Sequence, residues 1–258
     1  MVTRSRIEWT QHTWNPVTGC TNVSPGCKHC YARIFAERLK AMGVPSYANG
    51  FAVTLQPDRL LEPLKRKTPT VYFVNSMSDL FHEQVPFAYV DKVFAVIDQA
   101  SHHQFQILTK RADRMAEYFA TRGVPNNAWL GVSVENRKHG APRIAPLAKI
   151  KAGVRFLSVE PLIDDPGRLP LRGIHWVIVG GESGRGARPM NPEWVRKIRD
   201  QCLKAGIPFF FKQWGAWGPD GNKRSKKKNG RSIDGRQWSQ LPRLPSATKR
   251  SADVRRQV

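Results

Sequence analysis

The amino-acid sequence predicts an α/β protein built as a partial, open TIM-type barrel of about six to seven parallel strands with outer helices. From about residue 70 onward, short apolar and β-branched runs alternate with amphipathic stretches. This alternation is typical of parallel strands that are buried on both faces. Most of these runs also end in polar residues, as strands do where their carboxyl ends form a site. A doubly wound sheet is the alternative architecture for the same pattern.

Seven strands are predicted along the chain, and helices separate most of them. The predicted strands are residues 13–17, 71–74, 105–108, 129–132, 154–157, 176–179 and 208–211. Helices are predicted at residues 87–100 and 112–120, because apolar side chains recur there every three or four positions. A further helix begins near Pro192, keeps Cys202 on its apolar side and is closed by Gly206.

Composition divides the chain near residue 218. Residues 1–218 are predicted to form the partial barrel, with a cysteine-bearing loop at residues 20–30. Residues 219–258 have little apolar periodicity, and from Asp220 onward there are twelve Lys or Arg residues and three Asp residues. This segment is predicted to be a flexible tail that either tracks phosphate groups or only keeps the protein in solution.

Basic residues dominate the charge of the chain, with 42 Lys and Arg against 20 Asp and Glu and a net charge of +22. Such an excess favours a polyanionic partner, nucleic acid before a membrane surface, although solubility alone is the simpler explanation. No apolar stretch approaches the roughly 18–20 residues of a membrane span, and no secretory signal is recognisable. We therefore predict a cytoplasmic protein that does not bind membranes.

Three of the four cysteines, Cys20, Cys27 and Cys30, lie within eleven residues at the spacing Cys-x6-Cys-x2-Cys. Clustered thiols in a cytoplasmic protein indicate metal or redox chemistry. A helix follows the last cysteine, and its positive N-terminus would stabilise an anionic cluster bound by thiolates. A closed structural zinc site needs four ligands. Three ligands instead favour a [4Fe–4S] cluster with one iron left open to a substrate or cofactor.

Zinc stays an alternative if a fourth ligand joins the three cysteines, and the candidates are His12, His29 and Cys202. Cys202 is more simply explained as a core side chain, and His29 as a residue that lines the loop. Thiols without any bound metal are the third alternative.

Polar residues follow six of the predicted strands, and together they predict a polar cavity at the barrel mouth. The candidate ligands of cofactor and substrate are Asn75, Ser76, Asp79, Ser133, Glu135, Gly180 and Gly181. The candidate catalytic residues are Lys110, Glu160 and Glu182. The two glutamates end neighbouring strands, so they are predicted either to act as an acid and base pair or to neutralise nearby cations. Those cations are Lys110, Arg111 and Lys212.

The cysteine loop and the strand ends resemble a known family. A three-cysteine loop after the first strand, an aromatic residue beside the last cysteine and a parallel partial barrel are similar to the radical S-adenosylmethionine superfamily. Within it, the segment Cys27-Lys28-His29-Cys30-Tyr31-Ala32 resembles the spore photoproduct lyase-like members. Over about residues 5–218 the pattern most resembles a phage-associated family with a three-cysteine motif. The recurring pieces are Trp14-Asn15-Pro16, Gly19-Cys20, Ser76-Met77-Ser78-Asp79, Leu108-Thr109-Lys110-Arg111, Ser158-Val159-Glu160-Pro161, Gly180-Gly181-Glu182-Ser183 and Lys212-Gln213-Trp214-Gly215.

Two features depart from the superfamily pattern. Its usual cysteine spacing is Cys-x3-Cys-x2-Cys, whereas the first gap here is six residues. Its Gly-Gly-Glu element, which holds the methionyl amine, normally follows the second strand, whereas Gly180, Gly181 and Glu182 follow a late strand. The resemblance therefore supports cluster binding more strongly than it supports S-adenosylmethionine binding.

The resemblance implies an enzyme in which S-adenosylmethionine binds the open iron of the cluster and is reduced to a 5′-deoxyadenosyl radical that abstracts hydrogen from a substrate. Such an enzyme needs an electron donor. The basic charge makes a nucleic acid or nucleotide the expected substrate. The alternative is a non-catalytic nucleic-acid-binding protein with a structural zinc or redox-sensing three-cysteine site. An inactive barrel that works with a protein partner is a third hypothesis.

Overall fold

Strands and helices alternate along the chain in the computed structural model, which describes residues 3–5 and 7–242. The strands in these ranges are β1 (Thr3–Arg4), β2 (His12–Trp14), β3 (Val17–Thr18), β4 (Thr54–Leu55), β5 (Val71–Val74), β6 (Gln104–Thr109), β7 (Ala128–Ser133), β8 (Val154–Val159), β9 (Trp176–Gly180), β10 (Phe209–Gln213), β11 (Ser232–Ile233) and β12 (Arg236–Gln237). The α-helices are α1 (Tyr31–Ala41), α2 (Phe87–Gln99), α3 (Ala112–Phe119), α4 (Ile144–Lys149), α5 (Pro192–Lys204) and α6 (Lys226–Asn229).

Eight of the described strands form one sheet with the order β1-β2-β5-β6-β7-β8-β9-β10. The short β1 runs antiparallel to β2, and the other seven strands are parallel to one another. Because neighbours in the sheet follow the order of the chain, right-handed crossovers place their helices on the same outer side. The architecture is a seven-strand parallel half barrel with outer helices, a partial TIM-like barrel, and the predicted fold class is confirmed.

The first barrel strand is shorter than predicted. β2 covers His12–Trp14, whereas the predicted strand ran to residue 17. Pro16 has no N–H group to donate to a sheet ladder, so the pairing stops before it. β3 pairs instead with β4 in a separate two-stranded ribbon, which leads into the cysteine loop.

The sheet has a different core on each face. The outer face packs against the helices in one large apolar cluster, which includes Val93 of α2 and, as predicted, Cys202 of α5. Towards the amino-terminal ends of the strands, the inner face is filled mainly by aromatic side chains. These are Trp9, Phe73, Trp129, Phe156, Trp176 and Phe210. Because strand side chains alternate between the two faces, the polar residues further along the inner face converge at the carboxyl ends.

The helices α5 and α1 begin with different N-cap residues. Asn191 is the N-cap of α5, where its Oδ1 atom accepts a hydrogen bond from the Glu193 N–H at 2.9 Å, and Pro192 occupies the first turn. α1 begins directly after Cys30, which takes the N-cap position without a side-chain capping bond. None of the helices in the described part of the chain is both long enough and apolar enough to cross a membrane.

Residues 219–242, which were predicted to belong to a flexible tail, pack against the last barrel strand. The Phe211 N–H donates to the Trp238 carbonyl oxygen at 3.0 Å, and the Trp238 side chain is buried. This segment covers the free edge of β10, which is a common way to protect an edge strand. The remainder of the predicted tail, residues 243–258, lies outside the described residues, and the boundary at residue 218 stays a prediction.

Candidate functional site

The cysteine loop lies at the carboxyl-terminal edge of the sheet. Its entry is fixed at Gly19, where φ is +81° and a Cβ atom would collide with the Ala52 carbonyl oxygen. The Gly19 N–H donates to the Met77 carbonyl oxygen at 3.0 Å, in the segment that follows β5. The loop ends where α1 begins. Its three free, partly exposed thiols belong to Cys20, Cys27 and Cys30.

Arg111 links the first cysteine to the end of β6. Its Nη1 atom lies 3.5 Å from Cys20 Sγ and 3.2 Å from Asp79 Oδ2. Its Nη2 atom donates to Thr21 Oγ1 at 2.9 Å. Asp79 is buried and also accepts a hydrogen bond from the Thr109 hydroxyl at 2.7 Å. The predicted site residue Asp79 therefore holds a cation next to Cys20.

Glu135 joins the cysteine loop to the barrel mouth. The Ser24 hydroxyl donates to its Oε1 atom at 2.7 Å, and Arg143 donates to its Oε2 atom at 2.6 Å. Lys110 forms an ion pair with Oε1. Burial alone would raise the pKa of Glu135, but the charges of Lys110 and Arg143 outweigh burial and hold this pKa below its usual value. Arg143 also donates to the Ser133 carbonyl oxygen at 2.9 Å, so three predicted site residues meet here.

Asn75 follows β5 in an unusual backbone conformation. Its φ is +59°, in the left-handed region that few residues other than glycine adopt. The residue is 3% exposed, and neither its Oδ1 nor its Nδ2 atom has a hydrogen-bond partner in the described structure. A buried polar group without a partner costs roughly 1–3 kcal/mol. A ligand that pairs with the Asn75 amide would offset this cost.

Ser76 connects the same strand end to α1. Its hydroxyl donates to Asn15 Oδ1 at 3.2 Å, and its carbonyl oxygen accepts a hydrogen bond from the Tyr31 hydroxyl at 2.5 Å. Tyr31 follows Cys30 directly in the chain. Ser76 therefore ties the start of α1, and with it the last cysteine, to the barrel.

Glu160 and Glu182 form separate ion pairs with two different cations. The Lys212 Nζ atom lies 2.9 and 3.1 Å from the two carboxylate oxygens of Glu160. Arg188 donates to Glu182 from Nε at 2.9 Å, from Nη2 at 2.6 Å and from its backbone N–H at 2.9 Å. Burial would raise the pKa of Glu182, but the hydrogen bonds and charge of Arg188 hold it below its usual value. Both carboxylates are thus neutralised by a neighbouring cation.

Gly180 and Gly181 directly precede Glu182 in the chain, and Gly180 also lies close to Glu160. A Cβ atom at Gly180 would lie 3.1 Å from the Glu160 carboxyl carbon. The Gly181 N–H donates to the Gln213 carbonyl oxygen at 3.0 Å. The Gln213 Nε2 atom donates to Ser183 Oγ at 3.2 Å, whereas its Oε1 atom is buried without a partner in the described structure. Gln213, which belongs to the last of the polar strand ends noted in the sequence, therefore supplies a second buried amide oxygen without a partner in the described structure at this edge.

The three thiols of the loop are the type of ligand that an iron–sulfur cluster takes. No group of three or more His, Cys, Asp or Glu side chains within residues 3–5 and 7–242 is arranged to ligate one metal ion. The cysteines of a cluster bind different irons, so their thiols need not converge on one point. Arg111 beside Cys20 and the N-terminus of α1 at Cys30 both favour a negatively charged group in the loop. Cys202 is buried between α5 and the sheet.

Sequence reasoning missed several side chains that complete the site. Ser24, Arg143 and Arg188 bind buried carboxylates, and the His82 Nε2 atom lies 2.8 Å from Thr21 Oγ1. Ser24 lies between two cysteines of the cysteine motif, whereas His82, Arg143 and Arg188 belong to none of the motifs. The one available signal was general, because a buried carboxylate requires a cation or hydrogen-bond donors near it.

Fold and site together define a half-barrel α/β protein with a three-cysteine loop at its mouth. The chain belongs to the family described as Protein of unknown function (DUF5131), whose model matches residues 4–242. No curated protein matches the chain at a significant level.

Solved structures of spore photoproduct lyase are similar to the chain at low sequence identity. The lyase complexed with dinucleoside spore photoproduct is 13% identical, with a TM-score of 0.45. A double mutant of the lyase with bound AdoMet and dinucleoside spore photoproduct is 11% identical, with a TM-score of 0.44. In both comparisons the alignment covers 79% of this chain, which spans 64% of the length of the lyase chain.

Proposed function

We propose that the chain is an iron–sulfur enzyme of the radical S-adenosylmethionine type that acts on nucleic acid. Cys20, Cys27 and Cys30 would hold a [4Fe–4S] cluster. When bound, the cluster would supply an open iron for S-adenosylmethionine and the electron that converts this cofactor to a 5′-deoxyadenosyl radical. An external electron donor is required.

One observation carries this proposal: the cysteine loop closes on the polar end of the half barrel. The hydrogen bond of 2.7 Å between Ser24 and Glu135 joins the loop to the end of β7. The contact of 3.5 Å between Cys20 and Arg111 joins it to the end of β6. Substrates of parallel α/β barrels bind at this edge of the sheet. A cluster in the loop would therefore lie beside the polar strand ends.

The polar strand ends take two roles in the proposed site. Asn75 and Gln213 bind cofactor or substrate through their unpaired buried amide atoms. The side chains of Lys110, Glu160 and Lys212 remain 15–21% exposed at the mouth, so a bound substrate can reach them. Lys110 and the Glu160–Lys212 pair would therefore hold or move a proton. Asp79, Ser76, Ser133, Gly180 and Gly181 shape the site. Glu182 positions its loop through Arg188, since it already accepts three N–H groups.

The charge of the molecule supports nucleic acid as the substrate class. The net charge is +22, and a cavity of about 680 Å³ beside the mouth has an excess of cations in its lining, with Lys110, Arg111, Arg114, Lys138 and Arg143 against Glu83, Asp113 and Glu117. Phosphate groups are the anions that such a surface attracts most strongly in a nucleic acid. A nucleotide target would then enter the mouth next to the cysteine loop.

The test is the iron, sulfide and zinc content of protein purified without oxygen. Electron paramagnetic resonance would follow after reduction, with and without S-adenosylmethionine. We expect about four irons per chain and a signal that S-adenosylmethionine changes. The substitutions Cys20→Ala, Cys27→Ala and Cys30→Ala should each lose most of the iron, whereas the control Cys202→Ala should keep it. Stoichiometric zinc without iron, even after anaerobic reconstitution, would overturn the proposal and favour a metal-stabilised binding protein.

A further inference from the structure

A second cavity, of about 380 Å³, lies between the barrel mouth and the segment that covers β10. Its lining includes Ser183, Gly184, Lys223, Arg224, Ser225 and Lys226, and no acidic side chain from residues 3–5 and 7–242 lines it. Ser183 forms the wall on the side of the mouth, where its hydroxyl accepts a hydrogen bond from the Gln213 amide at 3.2 Å. The cavity therefore adjoins the candidate site at Ser183.

The lysines of this cavity are held in place by contacts that leave most of their donors free. The Lys223 Nζ atom donates to the Arg185 carbonyl oxygen at 2.8 Å and lies 5.6 Å from the Trp217 ring centre. Lys226 forms an ion pair of 2.7 Å with Glu8. A lysine ammonium group has three N–H donors, so each lysine can still donate to an anion in the cavity.

Arg224 is the third cation of the cavity, and it is paired with a carboxylate outside the lining. Its Nη1 and Nη2 atoms lie 2.9 and 2.5 Å from the two carboxylate oxygens of Asp220. This pairing orders the guanidinium and reduces its net charge. Glu8 reduces the net charge of Lys226 in the same way, so Lys223, which forms no ion pair with a carboxylate in the described structure, supplies most of the positive potential in the cavity.

We propose that this cavity binds backbone phosphate groups of a nucleic-acid strand whose target nucleotide lies at the barrel mouth. The inference deepens the proposed function and rests on it for the position of that target. Three cations, two hydroxyl groups and no carboxylate in the lining match the chemistry of a phosphodiester, which offers acceptor oxygens and one negative charge. Contacts of this kind position a strand without reading its sequence.

The test compares two double substitutions that remove the same charge from neighbouring positions. Lys223→Gln with Lys226→Gln changes the cavity, whereas Lys227→Gln with Lys228→Gln changes two exposed lysines of α6 that do not line it. Binding of fluorescein-labelled oligothymidine and oligouridine is measured by fluorescence anisotropy at several salt concentrations. The cavity variant should bind about tenfold more weakly, and the slope of log affinity against log salt should fall by about 1.4 for two lost single-strand phosphate contacts. The control variant should lose less than about threefold.

A third variant should act in the opposite direction. Asp220→Asn removes the carboxylate that neutralises Arg224, so affinity for both oligonucleotides should rise about threefold. Equal losses in the two lysine variants would overturn the inference, because binding would then depend on diffuse charge. Displacement of the oligonucleotide by polyglutamate at equal charge concentration would also overturn it, in favour of an acidic protein partner.

Iron content separates failure of this inference from failure of the proposed function. The cavity variant should contain as much iron as the wild-type protein, since neither lysine touches the cysteine loop in the described structure. Normal iron with unchanged oligonucleotide binding would overturn the inference alone. Absence of iron in the wild-type protein, together with the expected loss of binding, would overturn the enzyme proposal and leave the phosphate site standing.

Discussion

The guanidinium of Arg111 lies within hydrogen-bonding distance of the Cys20 thiol, with 3.5 Å between Nη1 and Sγ. Asp79 and Thr21 hold this guanidinium from two other directions, at 3.2 and 2.9 Å. The cation is therefore fixed beside a cysteine and is not free to turn toward solvent. Hydrogen bonds and positive charge near a cluster sulfur stabilise the reduced, more negative state.

We predict that Arg111→Gln makes the reduction potential of the reconstituted cluster more negative. If the contact stabilises the reduced state by about 1.4 kcal/mol, the one-electron midpoint potential falls by about 60 mV. A redox titration followed by electron paramagnetic resonance measures this shift. The matched control is Arg114→Gln, which removes the same charge from a side chain that packs on Phe87 and donates to the Val85 carbonyl oxygen. An equal shift in both variants would show that only total charge matters.

Gly26 lets the cysteine loop lie against Glu135. A Cβ atom at this position would lie 2.5 Å from Glu135 Cγ. The glutamate cannot move aside easily, because Lys110 and Arg143 hold its carboxylate. Gly26→Ala should therefore displace the loop, at a cost of about 2 kcal/mol in the free energy of unfolding, and should lower the iron bound on anaerobic reconstitution.

The control for this substitution is Gly123→Ala, where a Cβ atom meets no heavy atom within 4 Å. Iron content and urea unfolding of both variants are compared with those of the wild-type protein. Full iron retention in Gly26→Ala would mean that the loop does not need its close contact with Glu135 to hold a cluster.

Asn75 allows stability and binding to be tested separately. Its φ of +59° suits glycine but not alanine. Asn75→Ala should lower the free energy of unfolding by about 1 kcal/mol, whereas Asn75→Gly should leave it nearly unchanged. Both variants lose the unpaired amide, so both should bind S-adenosylmethionine about tenfold more weakly. Isothermal titration of the reconstituted proteins measures this, and unchanged affinity in both variants would exclude the Asn75 amide from the cofactor site.

The Glu182–Arg188 pair should make stability depend on pH. The pKa of Glu182 is lowered in the folded protein from its ordinary value of 4.5. Its contribution is therefore complete above pH 4.5 and is lost as the pH falls through the lower, folded pKa. Glu182→Gln should cost about 3 kcal/mol at pH 7, because it leaves Arg188 without its partner, and the difference from wild type should shrink in increasingly acidic solution.

Urea unfolding at a series of pH values measures this difference. The control is Glu193→Gln, whose side chain is 62% exposed and pairs with Arg196 at the surface. Exposed pairs contribute about 0–1 kcal/mol, so this variant should stay close to wild type at every pH. A gap between Glu182→Gln and wild type that does not change with pH would show that the carboxylate charge is not what stabilises the loop.

The amino-acid sequence by itself determined the fold class and the position of the cysteine loop. Short continuous apolar runs indicate strands buried on both faces, and amphipathic stretches with a period of 3.6 residues indicate helices, so both signals are local. The prediction of Cys202 as a core residue follows from the same periodicity, and it is confirmed. The strand-end rule also located Lys110, Glu135 and Asp79, because the carboxyl ends of parallel strands share one edge.

Only the tertiary structure decided which of these residues meet. Ser24 and Glu135 are 111 positions apart in the chain, yet they are joined by a hydrogen bond. No local pattern encodes such a contact, because it depends on how the loop folds back over the sheet. The same holds for Arg111 beside Cys20 and for Trp238 against the edge of β10. The period of a helix or strand is a property of a few neighbouring residues, whereas the neutralisation of a buried charge is a property of the whole packed chain.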